Sequence, residues 1–214
     1  MSESELQEPC VFLVDDDADI RASLSRALGL RGYTVKTFAS AHEFLGTYDG
    51  SASGCLILDY GMPTMNGLEL QAYLKAAGID VPIIFITGHG GVPESVQAMK
   101  MGAIDFLEKP FKQSILIERI DAAFEADAKR REVNQHQSEI VARYQGLTSR
   151  EQEIALIIAT NPARNSSKDV ARTLGISPRT VDHHRARILE KMDVRTVAEL
   201  VEAALKADLF KTDP

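Results

Sequence analysis

Cysteine is scarce in this 214-residue chain: Cys10 and Cys55 are the only two, and each sits inside an apolar run. That excludes a disulfide framework and a cysteine-based zinc knuckle, and it fits buried thiols in a reducing compartment. No apolar run approaches the roughly 18 residues that a membrane helix needs, and Met1 to Pro9 is acidic without an apolar centre. The expectation is a soluble, cytoplasmic chain with no membrane partner. Glycine and proline are missing between Phe111 and Gln145, so nothing there stops a helix. Positive charge is in short supply, with 24 Lys+Arg against 31 Asp+Glu, yet eight of those bases crowd between Arg164 and Arg195 against four acids. Such an island is either a solvated helical surface or a polyanion contact, because local phosphate neutralisation supplies that affinity whatever the overall charge. The length, with 44% apolar residues, calls for two domains that each bury a core.

What is present in the first half is strand-like. Five short runs stand out: Cys10-Val-Phe-Leu-Val14, Tyr33-Thr-Val-Lys-Thr-Phe38, Cys55-Leu-Ile-Leu58, Ile83-Ile-Phe-Ile86 and Ile104-Asp-Phe-Leu107. Four are apolar enough to be buried on both faces, and the second alternates like an edge strand. Helical patterns lie between them, such as Ile20, Leu24, Ala27 and Leu28. Strands alternating with helices predict βαβ units and a five-stranded parallel sheet of the flavodoxin-like, doubly wound α/β class. The glycine-free stretch extends its last helix outward. Leu116, Ile120 and Ala123, then Val141 and Tyr144, share one stripe, with Asp127, Arg130, Asn134 and Gln137 in its middle. The stripe is either a wet connecting helix or a weak dimeric coiled coil.

After Gly146 the pattern is wholly helical: Leu147 to Ala159, Ser167 to Leu174, Pro178 to Met192 and Thr196 to Ala207. Thr148 or Ser149, with Glu151 or Gln152, offers a capped start. Gly175 ends the second helix, and Ser177-Pro178 opens the third, which makes a helix-turn-helix.

Parallel strands place their carboxyl ends on one edge. Asp15, Asp16 and Asp17 follow the first strand, Asp59 ends the third, Thr87 ends the fourth and Lys109 follows the fifth. Asp17 fits a helix cap. The other carboxylates repel one another unless a pKa rises or a hard divalent cation such as Mg²⁺ joins them. With a hydroxyl and an ammonium beside them, the chemistry that fits is phosphoryl transfer onto a carboxylate nucleophile. A phosphatase of the aspartate-nucleophile kind is the enzymatic rival, but Asp59-Tyr60-Gly61 lacks an acid two residues on.

Leu13-Val-Asp-Asp-Asp17, Leu58-Asp-Tyr-Gly-Met-Pro63, Asn66-Gly67, Ile86-Thr-Gly-His-Gly90 and Glu108-Lys-Pro110 resemble the receiver domain of bacterial response regulators. The resemblance implies that Asp59 is the phosphoacceptor. It implies Mg²⁺ on Asp16, Asp59 and the Gly61 carbonyl, with Asp15 helping directly or through water. Thr87 would bind the phosphoryl group, Lys109 would pair with it, and Phe106 would be the aromatic switch behind Thr87. Gly61 and His89 border that centre and would tune phosphoryl lifetime. A cis Lys109-Pro110 bond is implied as well. An aspartyl phosphate places roughly two negative charges beside Thr87 and Lys109, enough to bias a two-state equilibrium of a few kcal/mol.

In the third C-terminal helix, centring the buried stripe on Val181 brings in Ile188 and Met192, flanked by His184 and Leu189. Arg179, Asp182, His183, Ala186, Arg187 and Glu190 face the other way, a surface suited to a DNA major groove. Arg185 falls near the buried side and either pairs internally or reaches a phosphate. Neighbouring His183 and His184 point apart and are no metal pair. Leu147-Thr-Ser-Arg-Glu151, Ser167-Lys-Asp-Val-Ala171, Leu174-Gly-Ile-Ser-Pro-Arg-Thr-Val181 and Ile188-Leu-Glu-Lys-Met192 resemble the LuxR-type helix-turn-helix. The whole chain is similar to response regulators of the FixJ/NarL type, which implies a receiver over 8–128, a helical linker over 129–146 and a DNA-binding domain over 147–210. Implied partners are a sensor histidine kinase, promoter DNA, RNA polymerase and a second copy of the chain upon phosphorylation. The DNA-contact set is Lys168, Arg179, Thr180, Asp182, His183, Arg187 and Lys191, with Thr180 on backbone phosphate and the last helix carrying dimer contacts. The loop around residues 160–165 is longer than that family's usual turn, and Asp182 and Ala186 replace lysines common in it.

Overall fold

The computed structural model describes residues 8–88, 92–160 and 165–210. Two compact units divide between Arg130 and Arg131. The first alternates strand and helix: β1 (Cys10–Val14), α1 (Ala18–Gly29), β2 (Thr34–Phe38), α2 (Ala41–Leu45), β3 (Gly54–Asp59), α3 (Gly67–Ala76), β4 (Ile83–Thr87), α4 (Val92–Lys100), β5 (Asp105–Glu108) and the opening turns of α5 (Gln113–Gln145). All five apolar runs are strands, paired in parallel in the order β2-β1-β3-β4-β5.

Side chains on one face of the sheet, among them Phe12, Val14, Leu56, Leu58 and Phe85, pack with Phe44, Leu70, Leu74 and Ala98. The other face, with Val11, Leu13, Ile57, Ile84 and Ile86, packs with Leu28, Leu116, Ile120 and Ala123. This two-sided burial explains the unbroken apolar runs of β1, β3 and β4, whereas the edge strand β2 buries only Phe38 fully. Cys10 and Cys55 belong to opposite layers and are free thiols, and burial pushes the pKa of both up. The sheet closes tightly at the start of β3. Gly54 has φ +147°, and a Cβ there would lie 1.8 Å from the carbonyl oxygen of Cys10, so only glycine fits.

The second unit comprises the remainder of α5, α6 (Ser149–Thr160), α7 (Ser167–Leu174), α8 (Pro178–Met192) and α9 (Val197–Lys206). Ile140, Leu147, Ile154, Ile158, Val170, Val181, Ile188, Met192 and Leu200 form its core. Thr148 caps α6 in a reciprocal box: Glu151 N–H donates to its hydroxyl at 3.3 Å, and Thr148 N–H donates to Glu151 Oε2 at 2.8 Å. Gly175 closes α7 in the left-handed region with φ 64°, and the Ser177 hydroxyl caps α8 ahead of Pro178.

The 129–146 stretch, read from sequence as a linker, lies within α5 up to Gln145, and its later turns belong to the second unit. Ile140 is in the core, Gln137 Nε2 donates to Lys206 O at 2.8 Å, and Arg143 reaches Met192 O and Asp193. Polar residues break an apolar stripe in sequence, but they also hydrogen-bond neighbouring helix ends, which ties this stretch to α8 and α9.

Candidate phosphoryl-acceptor site and nucleic-acid interface

Each acidic side chain of the first unit's site stands where a strand stops. Asp15, 1% exposed, directly follows β1, and β3 ends in Asp59, which is 7% exposed. Tight packing places α3 beside it: a Cβ on Gly67 would lie 2.7 Å from the Asp59 carbonyl oxygen, and Asn66 and Glu69 cap that helix reciprocally. Lys109 follows β5, and its N–H donates to Thr87 O at 2.7 Å, which fixes the loop against the end of β4. The Lys109–Pro110 bond is cis, as the resemblance implied.

The ammonium of Lys109 joins the two strand ends. Its Nζ lies 2.9 Å from Asp15 Oδ2 and 2.8 Å from Asp59 Oδ1. The remaining oxygens take backbone donors: Asp17 N–H reaches Asp15 Oδ1 at 2.8 Å, and Gly61 N–H reaches Asp59 Oδ2 at 2.7 Å. Burial pushes the Asp15 carboxyl above its ordinary value despite Lys109. For Lys109, burial works against the charge, but Asp59 and Asp15 outweigh it and hold the ammonium above its usual range. Asp16 is exposed beside this pair, and Asp17 caps α1 through its side chain. Thr87 is buried at the end of β4. Phe106 is half-buried, with its ring 5.7 Å from that of Phe85 and 6.4 Å from that of Tyr60. His89 lies outside the described residues.

These donors fit a hard divalent cation. Asp15, Asp16 and Asp59 bring three carboxylates against the one ammonium of Lys109, leaving an excess of about two negative charges, and every ligating atom is oxygen. Among the described residues no three His, Cys, Asp or Glu side chains are grouped so as to hold a metal ion by themselves. An all-oxygen, acid-rich donor set is the kind that Mg²⁺ takes with waters completing its shell.

In the second unit, Lys168 on α7 and Arg179, Thr180, Asp182, His183, Arg187 and Lys191 on α8 are all exposed. Val181, Ile188 and Met192 are buried on the opposite face, as their spacing predicts. Arg185 takes the internal alternative: it donates to Ser167 Oγ at 2.9 Å and to Asn165 O at 2.7 Å. Ser167 Oγ also bonds Asp182, so a member of the DNA-facing set cross-braces α7 and α8. Lys191 is likewise engaged, its Nζ 2.6 Å from Oε2 of Glu151, a residue only 1% exposed. The two histidine rings lie 6.1 Å apart in an edge arrangement. Residues 161–164 of the lengthened loop are outside the described residues.

Sequence reasoning missed two buried acids. Glu151 was read as a capping candidate and as part of the LuxR-type motif, not as a buried acid. Asp127, read as part of a polar break, is 1% exposed and accepts from Ser53 Oγ at 2.8 Å and Gly54 N–H at 3.0 Å. Both signals were long-range, since the partners lie far away in the chain.

The description of the response regulator receiver domain matches residues 11–121, and that of bacterial regulatory proteins of the luxR family matches residues 145–204. The chain is a response regulator. Over 91% of its length this response regulator is 41% identical to the transcriptional regulatory protein FixJ of Rhizobium meliloti strain 1021, spanning 94% of that protein. Nodulation protein W of Bradyrhizobium diazoefficiens is 39% identical over 89% of this chain and 83% of its own. Among solved structures, the response regulator StyR matches with a TM-score of 0.79 at 40% identity, covering 92% of this chain and 98% of that one. Full-length FixJ from B. japonicum matches at 0.57 and 36% identity, covering 96% and 100%. The protein is a FixJ-like, two-component regulator of transcription with a LuxR-type DNA-binding domain, rather than a metabolic enzyme. Among the described residues, no helix is long and apolar enough to cross a membrane.

Proposed function

We propose that Asp59 accepts a phosphoryl group from a sensor histidine kinase, and that this modification promotes homodimerisation and sequence-specific promoter binding. One observation carries the reading: a single lysine ammonium holds two buried strand-end carboxylates, at 2.9 and 2.8 Å, in a site with excess negative charge. A carboxylate oxygen of Asp59 attacks the phosphorus of the kinase's phosphohistidine. The P–N bond breaks, its electron pair returns to the imidazole, and an acyl phosphate remains. Asp15, Asp16, Asp59 and the Gly61 carbonyl would hold Mg²⁺, which when bound neutralises phosphoryl oxygens. Lys109 then exchanges its bond to Asp59 for one to the new phosphoryl oxygens, and the Thr87 hydroxyl donates to another. Movement of Thr87 vacates space beside β4 that Phe106 fills, changing the adjoining surface.

The receiver function belongs to 8–128 and the DNA function to 147–210, joined by the 129–146 stretch, which is α5 up to Gln145. Arg179 and Arg187 read base edges, while Lys168, Thr180, Asp182, His183 and Lys191 contribute backbone and flank contacts. Two DNA-binding domains brought together engage a two-fold site more tightly than one, through effective concentration. The dimer works in the cytoplasm beside RNA polymerase. The test is promoter binding by the full chain with acetyl phosphate and Mg²⁺. Wild type gains affinity and Asp59→Asn does not; equal responses from both overturn the reading.

A further inference from the structure

The carboxylate of Asp127 has no part in phosphoryl transfer, yet it is as deeply buried as Asp15. It sits on α5 and accepts from the Gly54 N–H at 3.0 Å and the Ser53 hydroxyl at 2.8 Å, the corner where β3 begins. That corner is rigid: Gly54 admits no side chain, and Cys10 N–H donates to Ser53 O at 2.9 Å. Arg130 adds a second tie, pairing with Asp127 on its own helix and lying 3.6 Å from Asp80 in the segment before β4. Arg130 is also the last residue of the first compact unit, and the same helix continues as the first element of the second. Thus α5 is clamped to the opening residue of β3, whose closing residue is Asp59.

A buried carboxylate held by two fixed donors and an arginine resists displacement, because any movement of the helix leaves charge and donors unpaired. We propose that Asp127 is a positioning residue for the output: its clamp fixes the direction in which α5 leaves the receiver, and the gain in DNA affinity on phosphorylation depends on it. This rests on the reading that Asp59 is the phosphoacceptor. Coupling through such an element is measured as a ratio of affinities, not inferred from proximity.

The experiment uses the full chain as wild type, Asp127→Asn and Ser53→Ala, the last removing one donor without burying an unpaired charge. Asp59 phosphorylation is quantified by phosphate-affinity gel, thermal stability by calorimetry, and promoter affinity with and without acetyl phosphate and Mg²⁺. The expected result is equal phosphorylation, unchanged affinity of the unphosphorylated chain, and an affinity gain at least about fivefold smaller in Asp127→Asn, with Ser53→Ala intermediate. A merely structural role lowers the melting temperature and leaves the gain intact, and that outcome overturns the proposal. Should Asp127→Asn fail to fold, an undiminished gain in Ser53→Ala overturns it equally. No gain in wild type sinks the underlying reading and the proposal together, whereas a wild-type gain preserved in the variants sinks the proposal alone.

Discussion

Both units of this protein bury acid beside lysine, and to opposite ends. In the receiver, Lys109 serves Asp15 and Asp59 together, with Asp16 adding further negative charge, so the site carries more acid than base. In the DNA-binding unit, Glu151 has Lys191 to itself at 2.6 Å, plus the Thr148 N–H at 2.8 Å. Burial works against the Glu151 charge, but Lys191 and Thr148 overcome it and lower its pKa from 4.5 to about 2. The difference teaches that a buried ion pair has no fixed role. A balanced, capped pair is a brace; an unbalanced one leaves uncompensated charge, which is what the proposed phosphoryl transfer draws on.

Neutralising one acid in each unit breaks the comparison most directly. Glu151→Gln takes the charge out of the brace between α6 and α8, while its amide oxygen still accepts from the Thr148 N–H. It is expected to destabilise the DNA-binding unit by about 1–3 kcal/mol, seen as faster hydrogen exchange across α6 and α8 in the full chain. Asp15→Asn is expected to act in reverse. It relieves a buried charge that burial disfavours, and it stabilises the receiver without added Mg²⁺ by about 0.5–2 kcal/mol. Slower exchange in β1 and β3 is the readout. A loss of stability in Asp15→Asn would mean that the Lys109 bridge outweighs the cost of burial, and the contrast between the units would fall.

The same two acids mark how far the sequence was legible. Asp15 and Asp59 were readable because position along a parallel strand decides which edge a residue occupies, and each strand was visible as an apolar run. The helix-turn-helix was readable for a similar local reason: Gly175, Ser177 and Pro178 are punctuation whose physics needs no distant partner. Asp127, Glu151 and Lys191 were not. A periodicity argument counts a carboxylate as wet, and it cannot foresee that the chain returns Gly54 N–H to Asp127 or Lys191 to Glu151. Lys191 shows the consequence, since the exposed helix face that suggested a phosphate contact also carries the ammonium that secures α6. Hidden polar pairings of this kind come from topology, which composition and spacing do not record.

The smallest effect is also the one that sharpens the contrast furthest, because it gives the two units opposite signs. Glu151 has a folded pKa below its ordinary 4.5, so its contribution to stability is present above about pH 4.5 and is lost as pH falls toward about 2. Asp15 has a folded pKa above its ordinary 3.8, so the stability linked to it is fully present below that value and is lost as pH rises through the folded pKa. Acidification from pH 5 toward 3 therefore weakens the brace while easing the strain at the receiver's site. The comparison is each variant against wild type at the same pH. The stability difference between wild type and Glu151→Gln should shrink on acidification. The advantage of Asp15→Asn over wild type should shrink as well, since protonation already gives wild type the neutral group that the amide supplies. If the Asp15→Asn advantage instead grows as pH falls, Asp15 titrates below its ordinary value, and the receiver's acid is a brace like the other.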